Sequence, residues 1–157
     1  MKNFFFTAIL SLVFVFLAGN LAETNAQTVN VSGSIGTVKR GGSIKGSVVL
    51  NIPGALHVNS NRPNSEYAIP TTVSLSTKGG KVGGAIYPRG KNRKFSFSDE
   101  VINVYEGRTT INFNLTVPAN YSGDTVNVRA VVRYQACTDE VCYPPKSQTV
   151  NLTARIK

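Results

Sequence analysis

The sequence predicts an all-β protein, an immunoglobulin-like antiparallel β-sandwich forming a single domain. Three observations carry this expectation. Apolar and polar residues alternate with period two through three segments in the second half of the chain, the spacing that sends successive side chains to opposite faces of a strand. Gly-Gly, Pro-Gly, Glu-Gly and Ser-Gly dipeptides interrupt the chain at short intervals, as turns between strands do. After the first 26 residues no stretch shows a convincing helical period, and many short strands without helices point to two packed sheets.

The elements follow in order. Lys2, the apolar run at residues 4–18 and the small residues Thr24, Asn25 and Ala26 read as an export signal cleaved before Gln27. The apolar run is short against the roughly 20 residues of a membrane-spanning helix. Residues 27–157 are therefore expected to be one exported domain, with no membrane span of its own. Strands are predicted at 28–33, 44–52, 71–76 and 101–105. Three longer ones follow at 110–117, 125–134 and 148–156. The first of these turns Ile111, Phe113, Leu115 and Val117 inward. The second does so with Val126, Val128, Ala130, Val132 and Tyr134, and the third with Val150, Leu152, Ala154 and Ile156. Gly41-Gly42, Pro53-Gly54, Gly79-Gly80, Gly83-Gly84, Glu106-Gly107 and Ser122-Gly123 punctuate the strands as turns. The chain lacks Trp, so the Cys…Trp…Cys signature of antibody domains is absent. Two connections, 53–70 and 88–99, exceed what a hairpin needs. Loops of that kind on a rigid scaffold are where binding sites tend to lie.

Composition narrows the chemistry. The formal net charge is +9, and removing Lys2 and Glu23 with the signal leaves it unchanged. A basic balance favours anionic partners or surfaces, yet the charges are mostly dispersed. The exception is Arg89, Lys91, Arg93 and Lys94, read as a solvated basic loop. An exported chain without a nucleic-acid motif is not expected to bind nucleic acid. His57 is the sole histidine, so no metal site and no cofactor are expected. Neither a phosphate-binding glycine loop nor a Ser/His/Asp set is readable, which leaves a hydrolase without support.

The remaining chemistry sits in RYQACTDEVCYPP, residues 133–145, which holds both cysteines, Cys137 and Cys142. They fall in the loop of a hairpin between the last two strands, and in an oxidising compartment they can pair. As a staple, so small a ring would contribute roughly 2 kcal/mol, less where the hairpin is already closed. The spacing leaves open a plain staple or a dithiol that exchanges. Asp139 and Glu140 lie between the sulfurs, and negative charge disfavours a thiolate. The free thiols are expected to be sluggish and to react mainly within a partner complex. Pro144 and Pro145 fix the exit from the loop. His57 reads as a packing or surface residue, with orienting a partner or helping a proton transfer as the alternatives.

Tyr134-Gln135-Ala136-Cys137 followed by Cys142-Tyr143-Pro144-Pro145 resembles the active-site segment of the N-terminal periplasmic domain of DsbD, a thiol:disulfide interchange protein. LHVNSNRP (56–63), YAIPTTVSL (67–75), Tyr87-Pro88 and VYEG (104–107) resemble further landmarks of that family in the same order, so the likeness runs from Val29 to Ala154. The resemblance implies an immunoglobulin-like sandwich with a redox-active Cys137–Cys142 disulfide and no other cofactor. It implies thioredoxin-like periplasmic partners, including a disulfide isomerase and the thioredoxins of cytochrome c maturation. It assigns the mixed disulfide to Cys142. It also implies a cap and partner-contact region of Tyr87, Phe95, Phe97, Tyr134, Gln135, Tyr143 and Pro144, with Phe95 or Phe97 as the aromatic cap. Either Phe reads equally well as strand core. The cysteine spacing is one residue shorter than in the best-known members, and acidic residues fill it. A stand-alone, monomeric domain is expected, either fed by a separate membrane reductase or reused for another purpose. The activity leans toward that of a protein-disulfide reductase, and the alternative is a disulfide-stapled sandwich that binds another envelope protein.

Overall fold

The structure is a computed structural model describing residues 28–157; the export signal expected at 1–26 lies outside the described residues. One sheet is ordered β1 (Asn30–Ile35), β3 (Ser43–Asn51), β9 (Arg108–Thr116), β6 (Lys81–Val82), with every neighbour antiparallel. A second is ordered β2 (Thr37–Val38), β12 (Lys146–Ile156), β10 (Thr125–Tyr134), β5 (Thr72–Thr77). Its long pairs are antiparallel, and only the short β2–β12 pair is parallel. The described residues form no helix.

Period-two patterning accounts for the sandwich. Ile111, Phe113 and Leu115 on β9 are buried, as are all five predicted residues of β10 and Leu152 and Ala154 on β12, while Val150 and Ile156 are partly buried. These side chains meet Val48 and Leu50 of β3 in one core. Each fully buried Val, Leu, Ile or Phe contributes about 1.5–3 kcal/mol relative to exposure, and only the strict alternation puts so many on one side. Gly46 lies opposite Phe113 in the β3–β9 register; any side chain there would run into the Phe113 ring. At the predicted Glu106-Gly107 turn, Gly107 takes φ +60°, a conformation that favours glycine.

A third, small sheet lies beyond the two predicted. Its order is β11 (Ala136–Cys137), β4 (His57–Asn59), β8 (Val101–Tyr105), β7 (Lys91–Lys94), all antiparallel. Phe95, Ile102 and Val104 form its own core, with Ala68 packed against them. Two of its strands correct the sequence reading, because they occupy the long connections. β4 is buried at all three residues, so it shows no alternation. β7 is exposed at all four, so it shows no apolar face. The basic cluster is thus not a loop: Lys91, Arg93 and Lys94 belong to the edge strand β7, and only Arg89 precedes it. Charged side chains on an edge keep it from pairing with another chain.

Candidate functional site: a disulfide at the rim of the third sheet

The site begins where β10 ends. After Tyr134 the chain turns into β11, which pairs with β4 so that Ala136 faces Val58 and Cys137 faces His57. The chain then reverses over residues 138–141. Thr138 N–H donates to the Val141 carbonyl at 2.8 Å, and Tyr143 N–H donates to the Ala136 carbonyl at 2.9 Å. Those two bonds flank Cys137 and Cys142, which face each other as a bridge pair between them. Directly opposed residues of this non-hydrogen-bonded type approach most closely. Their Cα atoms are 4.0 Å apart, and a disulfide joins them. Thr138 Oγ1 tightens the turn by accepting N–H bonds from Glu140 (3.2 Å) and Val141 (3.1 Å).

The two sulfurs live in different surroundings. Cys137 is 0% exposed, covered by the sheet, whereas Cys142 is exposed. Cys142 lines a cleft of about 560 Å³ with Tyr67, Phe97, Ile102 and Gln135. Tyr67 is 84% and Phe97 40% exposed, so this cleft presents apolar surface to solvent. Gln135 ties the hairpin arms by donating from Nε2 to the Tyr143 carbonyl at 3.1 Å. Asn59 backs it, donating from Nδ2 to the Ile69 carbonyl at 3.0 Å and to Gln135 Oε1 at 3.5 Å.

A second cleft, of about 680 Å³, is lined by His57, Lys91, Arg93, Glu106, Asp139 and Glu140 among others. Glu106 binds Arg93 at 2.6 Å and Lys91 at 3.2 Å. Among the described residues Asp139 and Glu140 have no ion-pair partner, so their charge stays beside the cysteine turn. His57 is 3% exposed. Burial pushes its imidazole below the usual 6.5; Asp139 and Glu106 oppose that shift, and Arg93 adds to it. A stack of three rings crosses this region: His57 on Phe95 at 4.1 Å between centroids, and Phe95 on Phe97 at 5.2 Å. Ser96 Oγ, between the two Phe residues, donates to the Asp139 carbonyl at 3.1 Å and so pins the segment to the hairpin.

The structure therefore gathers Cys137, Cys142, Gln135, Phe95 and Phe97. Phe95 is buried beneath and Phe97 lies at the surface beside Cys142. Tyr143 is half-buried against the main core, with Pro144 exposed beside it. Two expected contact residues sit elsewhere. Tyr134 is in the sandwich core, its hydroxyl 2.6 Å from Gln148 Nε2 and 3.4 Å from the Val29 carbonyl. Tyr87 lines neither cleft; its hydroxyl accepts the Val73 N–H at 2.8 Å. Sequence reasoning did not single out Asn59 or Ile102 as site residues, although the first lies in a quoted landmark and the second in a predicted strand. The run LHVNS held the signal, since all five residues are buried, but an unalternating run within a Pro- and Asn-rich stretch does not announce a strand. Among the described residues, no cluster of His, Cys, Asp or Glu is placed to hold a metal, and no helix is long and apolar enough to cross a membrane.

A β-sandwich whose last hairpin bears a cross-strand disulfide, with one sulfur buried and the other exposed, has a shape that suits the thiol–disulfide exchange class of domain. Residues 46–154 match the family described as "Thiol:disulfide interchange protein DsbD, N-terminal", and the chain belongs to that family. The chain is 35% identical over 79 residues to the thiol:disulfide interchange protein DsbD of Pseudoalteromonas atlantica, covering 50% of this chain and 12% of that protein. DsbD of Actinobacillus pleuropneumoniae is 25% identical over 97 residues, covering 62% of this chain and 15% of the relative. The chain thus spans only a small part of the curated relatives it matches. In fold it resembles the N-terminal periplasmic domain of ScsB from Proteus mirabilis, with a TM-score of 0.54 at 12% identity over 84% of this chain and 48% of that one.

Proposed function

We propose that this protein is an exported, periplasmic thiol–disulfide exchange module that relays electrons through Cys137 and Cys142 to or from thioredoxin-like proteins. The observation that carries the reading is the unequal exposure of the two sulfurs. Exchange proceeds by attack of a thiolate on one disulfide sulfur, and only Cys142 offers a surface to attack. An incoming thiolate forms an S–S bond to Cys142, the Cys137–Cys142 bond breaks, and Cys137 leaves with the electron pair. The partner's second thiolate then displaces Cys142. The domain has gained two electrons and the partner has become a disulfide. The reverse sequence delivers those electrons to an acceptor, for which the isomerases and cytochrome c maturation thioredoxins implied by the family are the natural class. A membrane reductase is a fitting donor.

Phe97 acts as the cap in this reading and Phe95 as its support. The apolar cleft beside Cys142 receives the partner, and Gln135, Tyr143 and Pro144 frame it. The acidic turn keeps the free thiols slow until a partner docks. A redox titration of the protein against thioredoxin and glutathione buffers, with trapping of free thiols, tests the proposal. A potential in the range of exchanging pairs, with rapid reduction by a thioredoxin-like protein, is expected. A potential below about −300 mV, where structural disulfides lie, would make the pair a staple and leave a sandwich that binds another envelope protein.

A further inference from the structure

Among the buried side-chain nitrogen and oxygen atoms of the described residues, His57 Nε2 is the one without a hydrogen-bond partner. A buried polar atom left unpaired is costly and calls for an explanation. Its position supplies one. His57 on β4 lies directly opposite Cys137 on β11, and residues so paired in an antiparallel sheet point to the same face with Cβ atoms about 4.5–5.5 Å apart. The imidazole is held in place by its face-to-face stack on Phe95, at 12° between ring planes.

We propose that His57 is the proton acceptor and donor for Cys137, moving the proton that must leave and return to the buried sulfur during exchange. The inference rests on the exchange reading above and adds a residue to it. Cys137 is wholly covered, so solvent cannot take its proton directly. In the mixed disulfide between Cys142 and a partner, Cys137 is a thiol. Its S–H bond breaks, the proton passes to Nε2, and the thiolate attacks Cys142 Sγ. The Cys137–Cys142 bond forms, the partner–Cys142 bond breaks, and the partner leaves as a thiolate that takes the proton from the imidazolium through solvent. The partner is reduced by two electrons and the domain oxidised. In the opposite direction the imidazolium protonates Cys137 as it leaves.

The surroundings suit both states of the ring. Burial and Arg93 of β7 keep it neutral at rest, while Asp139 of the hairpin turn and Glu106 after β8 stabilise a transient imidazolium. Lys91 and Glu140 line the same cleft and complete the set of charges around it.

Because His57 is the sole histidine of the chain, its imidazole NMR signals report on it without ambiguity. The unaltered protein after chemical reduction is expected to show a second shift of the imidazole signals at the pH where the neighbouring Cys137 thiol ionises, a step that the disulfide form lacks. Superimposed curves would overturn the proposal. The second measurement follows the reduced protein reacting with excess aromatic disulfide, where Cys142 releases the first aryl thiolate and Cys137 the second by resolving. In His57→Gln the second phase is expected to be roughly 100-fold slower near neutral pH, the lower range for a positioned acid–base group, and to rise with pH as a lone thiol does. An unchanged profile would overturn the assignment. Both measurements use chemically reduced protein and small reagents. Failure of the exchange reading shows separately, as a disulfide that thioredoxin-like proteins do not reduce.

Discussion

The sandwich and the third sheet obey opposite rules for placing side chains. In the sandwich, the apolar residues of β9 and β10 point inward except Val131, and of their polar residues only Thr109 is buried. In and around the third sheet, His57, Asn59, Ser60 and Thr71 are buried, while Tyr67, Phe97, Val101 and Val141 are exposed. The buried polar groups are mostly spoken for, as when Thr71 Oγ1 donates to the Asn59 carbonyl at 2.6 Å. Among the described residues the exposed apolar ones stay uncovered, Phe97 having one face stacked on Phe95. The first region is arranged for stability, and the second leaves the apolar surface that the proposed exchange reading gives to a partner.

Substitutions should divide along the same line. The largest effect is expected from Cys142→Ser, which removes the accessible sulfur and should abolish reduction by a thioredoxin-like protein in a turnover assay. Loss of the ring should lower unfolding free energy by no more than about 2 kcal/mol, read by denaturant titration. Phe113→Ala should act the other way round. Emptying that core position should cost about 3–5 kcal/mol and leave the redox potential of surviving folded protein unchanged.

Phe97→Ala sharpens the contrast within the site. Stability should change little, since the side chain is exposed, but stopped-flow alkylation of reduced Cys142 should quicken several-fold; an unaltered rate would remove Phe97 from the cap. A milder effect is expected from pH. The His57 imidazole titrates lower when folded than its usual 6.5, so between those two values the unfolded chain binds more protons. Stability should therefore fall as pH drops below about 6.5 and level off once the folded imidazole is also protonated; His57→Gln should flatten that part of the curve. The smallest effect belongs to Glu106→Gln. Its ion pairs with Lys91 and Arg93 lie near the surface, where such pairs contribute about 0–1 kcal/mol, and a thermal melt should hardly move.

The same contrast explains what the sequence disclosed. Residues 101–105 and 125–134 match β8 and β10 to the residue, and the other long strands shift by two residues or fewer, because alternation on one wet and one dry face leaves a periodic trace. β4 and β7 leave none, one being buried on both faces and the other exposed on both. Cys137 and Cys142 were legible as a pair from their spacing and flanks, but their unequal exposure was not. That arises from β11 pairing with β4, a contact between segments far apart in the chain. For the same reason the pairing of His57 with Cys137 left no trace in the sequence, although its reading as a packing residue agrees with its burial; Tyr134, read both as strand core and as a neighbour of the cysteines, takes only the first place.

The burial of one sulfur beside an open one also bears on chemical damage. A peroxide reaching the reduced domain meets Cys142 first and converts it to a sulfenic acid. The neighbouring Cys137 thiol can condense with it, releasing water and restoring the disulfide, before further oxidation to the irreversible sulfinic acid. In the exchange reading proposed above, the geometry that admits a partner through one sulfur also turns such an injury into a return to the disulfide.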